Sequence, residues 1–277
     1  MVAVSLNTNA GAMVALQNLN ATQTSLQMVQ KQINTGLKVA DAMDNGGVFA
    51  IAQNMRGQVS GLDAVTQSLD RASNVVDVAN SAGTAISDIL VEMKQKAISA
   101  SDSSLDTASR SALNEDFKSL RDQIGTIVSN ATFNGVNLID GSLTNGVKAL
   151  ANADATSFLT IGSEDMSLSG SVVTIATTAQ IDTLTHASAE ISAVQTSLNN
   201  VNAALARLGT GSKKLDIHKT FVSQLSDALN TGIGNLVDAD LSQASAQLQS
   251  LQVKQQLGVQ ALSIANSAPQ ILLGLFR

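Results

Sequence analysis

A mainly α protein, a long antiparallel helical coiled-coil rod with one small β-hairpin region, is predicted by three features of the sequence. Apolar residues recur in alternating steps of three and four over long stretches. The 277 residues include a single Pro. Turn dipeptides gather in one interval, roughly 130–178.

The longest seam reads Leu62, Val65, Leu69, Ala72, Val76, Ala79, Gly83, Ile86, Leu90, Met93, Ala97. It extends backward through Val48, Ile51 and Met55, with Gln58 as its polar member. Such steps average 3.5 residues, the repeat of a left-handed supercoil. With no Pro to break it, a helix over 48–100 would run ~75 Å at 1.5 Å per residue. That exceeds the width of a compact domain and predicts a rod whose core seam includes Leu62, Val65, Leu69, Val76, Ile86, Leu90 and Met93.

Composition excludes several functions. There is no Cys, Trp or Tyr, charged residues make up 14% of the chain, and the net charge is −6. Zero Cys removes disulfides and thiolate chemistry. The negative balance gives no footprint for nucleic acid. No run of 18 apolar residues could cross a membrane. The first charged side chain is Lys31, so the start lacks the basic segment of a cleaved secretory signal.

Along the chain, Ala12, Ala15, Leu19, Thr22, Leu26, Val29 and Ile33 form an N-terminal seam whose other flank is Asn, Gln, Ser and Thr. An ordinary surface helix carries Lys and Glu there. Neutral amides and hydroxyls are buried far more cheaply than unpaired charges. Thr35-Gly36 and Asp44-Asn45-Gly46-Gly47 break the chain before the long helix. Ser101 to Asp106 interrupts it again and can cap a helix carrying Leu113, Phe117, Leu120, Ile124 and Ile127.

Asn134-Gly135, Asp140-Gly141 and Asn145-Gly146 mark tight turns, and Ser171 to Ile175 reads as a strand. Helix resumes near Ile181, with Gly209-Thr210-Gly211 as a bend or local interruption. After a joint at 232–240, the last segment shows Leu241, Ala244, Leu248 and Leu251, then a second stripe of Leu257, Ala261, Ile264, Ala268 and Ile271.

Catalytic signals are weak. His186 and His218 lie in no metal-binding spacing and read as helix-surface residues. The run Gly209 to Lys214 lacks the spacing and context of a phosphate loop. Asp238 and Asp240 read as helix caps. Asn20-Ala21-Thr22 and Asn130-Ala131-Thr132 match the N-glycosylation pattern only. The methionines Met13, Met28, Met43, Met55 and Met93 read as packing residues. No cofactor or metal is expected, and no enzyme activity.

Both chain ends are therefore apolar-striped and nearly uncharged. Long helices without tertiary packing are marginal, so these ends are expected to order when surrounded by copies of themselves. A repeated contact that does not close on itself gives an open filament. The expected self-assembly seam is Ala15, Leu19, Leu26, Val29 and Ile33 with Leu241, Leu248, Leu251, Leu257, Ile264 and Ile271.

Several motifs together resemble the bacterial flagellins over nearly the whole chain. They are Leu6-Asn7-Thr8-Asn9, Ile33 to Val39 followed by Ala42, Asp44 and Ala50-Ile51-Ala52, and Thr132-Phe133-Asn134-Gly135. Gln255-Gln256-Leu257-Gly258, Ala265-Asn266, Pro269-Gln270 and Leu275-Phe276-Arg277 complete the set. The resemblance implies a discontinuous two-domain (D0/D1) architecture without large outer domains. Residues 1–40 and 235–277 would form a terminal coiled-coil domain lining the filament core. Residues 41–234 would form a helical bundle with the β-hairpin region.

It implies a subunit of the extracellular flagellar filament, exported unfolded through the flagellar type III apparatus. Its partners would be identical and paralogous flagellins, a secretion chaperone at the C-terminal segment, and the filament cap and hook-junction proteins. O-glycosylation of exposed Ser or Thr within 142–178 is in keeping with the family. A hook–filament junction protein and a secreted helical binding module are the alternatives. Two departures stand out. Asn45-Gly46-Gly47 replaces the usual acidic residue and alanines. Within Leu90, Glu92 and Lys94, Glu92 stands where flagellins sensed by the animal innate immune receptor carry an arginine, which predicts weak receptor activation.

Overall fold

The computed structural model describes residues 8–275, with side chains as far as Ser267. Leu6, Asn7, Phe276, Arg277 and the side chains of Ala268 and Ile271 lie outside the described residues. Five helices occur among those described: α1 (Ala10–Thr35), α2 (Gly46–Ala100), α3 (Thr107–Asn130), α4 (Leu184–Val237) and α5 (Leu241–Leu275). Between α3 and α4 lie the short strands β1 (Thr132–Phe133), β2 (Val136–Asn137), β3 (Val147–Leu150) and β4 (Phe158–Ile161). The chain divides into two compact units, Met1–Gly57 with Ala228–Arg277, and Gln58–Asp227. The division falls inside the two long helices, after Gly57 in α2 and before Ala228 in α4, where the expected terminal domain has its bounds at 40 and 235.

In the terminal unit α1 packs along α5. Asn9 opens α1 by accepting the Ala12 N–H at 3.0 Å, and its side-chain amide donates to the Ala265 carbonyl at 2.7 Å. One side chain thus caps the first helix and ties it to the last. Gly36 closes α1 at φ 70°, a left-handed conformation in which glycine lacks the Cβ penalty. The loop after it is stitched to the α4–α5 joint by Lys38 N–H to Val237 O (2.8 Å) and Ala239 N–H to Gly36 O (2.9 Å). Asn45 caps α2 by accepting from Val48 N–H, and Asp240 caps α5 by accepting from Ser242 and Gln243.

The second unit is built on the long seam. Leu62, Val65, Leu69, Ala72, Val76, Ala79, Ile86, Leu90, Met93 and Ala97 are all buried. They meet a matching stripe on α4, where Val194, Val201, Leu208, Leu215 and Val222 are buried. Gly83 lets the helices close up: a Cβ there would lie 2.8 Å from Leu205 Cδ2. Asp106 caps α3, and Phe117 and Ile124 fill the core from that helix. Lys219, a polar break in the α4 stripe, pairs with Asp70.

Three expectations are corrected here. The helix α4 starts at Leu184, because Ile181 is buried outside it with its N–H donated to the Asn114 side chain (2.7 Å). Gly209-Thr210-Gly211 does not interrupt α4, which is continuous to Val237. Gly211 instead makes room for β4, since a Cβ there would be 2.9 Å from Ile161 Cγ2. Ser171 to Ile175 is not a strand. Val172, Val173 and Ile175 are buried, but the backbone is held by side chains of α4, through Ser197 to Thr174 N–H and Asn200 to Val172 O.

The hairpin β1–β2 turns at Asn134 (φ 50°) and Gly135 (φ 77°), the two positive φ values that a type I′ turn requires. The β3–β4 hairpin pairs Val147 with Ile161 and Leu150 with Phe158. Its loop contains no glycine and is organised by Asn152, which accepts from Thr156 and Ser157 N–H.

Phe117→Ala is expected to destabilise the second unit by about 3–5 kcal/mol in urea unfolding. Gly211→Leu should cost about 1–3 kcal/mol by overpacking against Ile161. A bend at Gly211 with free space beside it would instead leave the latter variant at native stability.

Candidate polymerisation surface

Only Leu26 and Val29 of α1 and Ala244 of α5 are buried among the described side chains of these two helices. Ala15, Leu19 and Ile33 are half-buried against the partner helix, as are Leu248 and Leu251. The α5 face toward α1 continues through Gln255, Gly258, Leu262 and Ala265. Gln255 donates to Gln23 at 2.7 Å, and Gly258 lies under Leu19, where a Cβ would be 3.2 Å from Leu19 Cδ1. A search for apolar periodicity passes over these residues, because two of them are an amide and a glycine.

The remaining faces are apolar and open. On α1, Met13, Val14, Leu16 and Met28 are exposed, Met13 by 64%. On α5, Leu241, Val253, Leu257, Val259 and Ile264 are exposed, Ile264 by 70%. So of the expected seam, the α1 residues with Leu248 and Leu251 pair within the chain, while Leu241, Leu257 and Ile264 face away. The methionine reading divides as well: Met93 is buried, whereas Met13, Met28 and Met43 are exposed in the single chain.

These open faces carry little that resists burial. The hydroxyls of Thr22, Thr24 and Ser25 donate to the carbonyls of Asn18, Asn20 and Ala21 one turn earlier. The one charge of α1, Lys31, is held by Asp41 and Asp44 at 2.7 and 2.8 Å. Its hydrogen bonds to them raise the Lys31 pKa and are the main cause lowering both carboxyl values. This contribution is present above the ordinary carboxylate value of 3.8 and is lost as pH falls through the lower folded values. The one charge of α5 is Lys254.

Conventional chemistry finds no site. No group of three His, Cys, Asp or Glu able to hold a metal occurs among the described residues. His218 is not a plain surface residue, since Nε2 meets the Ala151 carbonyl at 2.8 Å and its ring lies 5.9 Å from Phe221. His186 sits 2.5 Å from Asp182. In the receptor-like motif Leu90 is fully buried, Lys94 is half-buried and donates to Gln195, and Glu92 alone is exposed. Half-buried Glu190 escaped the sequence reading. Its Oε2 has no hydrogen-bond partner, and burial raises its pKa against weaker opposing effects of His186 and Arg121.

Two long helices paired along one seam and apolar on their outer faces define a subunit of a helical polymer. Residues 6–144 match the bacterial flagellin N-terminal helical region, and residues 191–276 the bacterial flagellin C-terminal helical region. Caulobacter vibrioides flagellin FljK is 51% identical over 99% of this chain and 98% of its own. A Brucella melitensis flagellin is 37% identical over 99% of each. The Bacillus cereus flagellin structure covers 56% of this chain and 88% of its own at a TM-score of 0.50, with 21% identity. The chain belongs to the bacterial flagellin family, and it is a structural subunit of the flagellar filament.

The raised Glu190 pKa has a sign that can be tested. A carboxyl whose folded value is raised penalises the folded state at neutral pH, and the penalty fades as pH falls through the raised folded value and is gone below the ordinary value of 4.5. Glu190→Gln should therefore raise the thermal midpoint at neutral pH and leave it unchanged near pH 4. An equal change at both pH values would contradict this reading.

Proposed function

We propose that the α1–α5 pair is the polymerising element of this flagellin, and that its open faces are covered by identical or paralogous subunits. The observation that carries this is the combination of exposed Met13, Leu16, Leu257 and Ile264 with only one charged side chain on each helix. Apolar area exposed on this scale marks an interaction surface. Burying it excludes water, and Lys254 is the one charge of the pair that needs a place at the rim.

On this reading the compact unit made of both chain ends is the filament-core domain, and Gln58–Asp227 corresponds to the surrounding domain. The chain is exported unfolded through the flagellar type III route, a chaperone holds the C-terminal segment before export, and cap and hook-junction proteins receive it. Exposed Glu92, in place of an arginine, makes receptor activation weak, because a reversed charge opposes a contact built for a cation. Identity to flagellins over the full length favours a filament subunit above a junction protein.

The test uses Leu257→Lys with Ile264→Lys in the full chain. Two lysines placed where the polymer would bury them should raise the critical concentration at least about 100-fold, while circular dichroism of the monomer stays native. Filaments of normal yield and length from this variant would overturn the assignment.

A further inference from the structure

The chain has seven Met and no Cys, Trp or Tyr. Thioether sulfur is therefore the group that a peroxide oxidises first. The methionines divide by unit. In the second unit Met93 and Met166 are both fully buried, with the Met166 side chain packed where Gly83 has no Cβ. In the terminal unit Met28 is 54% exposed and Met43 91%, and Met13 is as open as noted above. Met55 is half-buried, its Cε lying against Gly232. Solvent thus reaches sulfur in the unit whose outer faces await a neighbour, and not in the core of the other.

Met13 and Met28 both lie on α1. Fifteen residues separate them, a little over four turns and ~22 Å along the axis at 1.5 Å per residue. That spacing puts them on the same side of the helix. Leu26 and Val29, the buried residues of α1, bracket Met28 in sequence, so Met28 is turned away from α5. Val14 and Leu16 beside Met13 are exposed with it. A thioether with three rotatable bonds fills an irregular apolar contact well. Its sulfoxide is polar and costs free energy when buried without a donor.

We propose that Met13 and Met28 are sulfoxidation sites through which a peroxide halts polymerisation of the free subunit. This rests on the polymer reading above and adds a reversible covalent control to it. The methionine sulfur attacks one peroxide oxygen, the O–O bond breaks and an S–O bond forms. Sulfur is oxidised by two electrons, and hydrogen peroxide is reduced to water. The oxidised face then resists burial between copies. Once copies cover α1 the same sulfurs are shielded, so the oxidant stops growth and spares what has assembled.

The test treats the dilute full chain with hydrogen peroxide, quenches it and maps oxygen uptake by peptide mass. Met13 and Met28 should react at least about tenfold faster than Met93 and Met166, which are reached only when their unit opens. The critical concentration should rise at least about tenfold, while circular dichroism of the oxidised subunit stays native. Methionine sulfoxide reductase should return assembly to its untreated level. The double variant Met13→Leu with Met28→Leu, which keeps Met43, should assemble equally well before and after peroxide. In preformed filaments uptake at these two positions should be at least about tenfold slower than in the subunit. Normal assembly of the oxidised native-sequence chain overturns the proposal, as does an equal loss in the peroxide-treated double variant. Either result leaves the terminal-helix reading standing. Failure of the untreated native-sequence chain to polymerise overturns both.

Discussion

A helix packed against one partner buries one stripe, and whatever apolar surface it carries elsewhere must find another neighbour or stay wet. That constraint governs this protein. In the terminal unit α1 and α5 use their inner faces on each other, through Leu26, Val29 and Ala244. Leu16, Leu257 and Ile264 are left facing outward. Backbone hydrogen bonds are satisfied within each helix, so the pair is locally complete as secondary structure and incomplete as a core. Short hydroxyls bond their own helix and Lys31 is tied down by two aspartates, which leaves exposed Lys254 as the one charge of this pair with no ion pair among the described residues.

The second unit answers the same constraint within one chain. Its α2 seam meets the α4 stripe, while α3 and the segment at 171–175 cover more of the core, with Phe117, Val173 and Ile175 fully buried. The two short sheets serve this packing. Ile161 of β4 reaches over Gly211, Ser68 receives the Leu150 N–H, and Asn137 of β2 donates to the Val128 carbonyl of α3, so each hairpin is fixed by the helices it covers. A core finished in this way can hold its shape before assembly, while the ends wait for it.

What the sequence made legible follows from where local chemistry decides the outcome. The seam from Leu62 to Ala97 could be read directly because every inward position but Gly83 is apolar. Asn134-Gly135 announced its turn because only such pairs tolerate two positive φ values. Asp106 and Asp240 were legible as caps for the same local reason. Readings failed where tertiary contacts set the result. Ser171 to Ile175 has strand composition, yet Ser197 and Asn200 take its backbone groups. Gly211 looks like a helix breaker, and its meaning lies in Ile161 some fifty residues earlier. The α5 seam through Gln255 and Gly258 was hidden because it relies on an amide pair and a close approach. Glu190 gave no signal at all, since burial of a lone carboxylate is a property of the packed unit.

The central claim is that the terminal helix pair is completed by copies of itself, whereas the core of the second unit is closed within one chain. Amide hydrogen exchange on the dilute subunit and on the polymer measures this directly. Amides of α1 and α5 should exchange orders of magnitude faster than those around Leu69 to Met93 in the subunit, and gain that protection in the polymer. Equal, full protection of both regions in the solitary subunit would contradict the account.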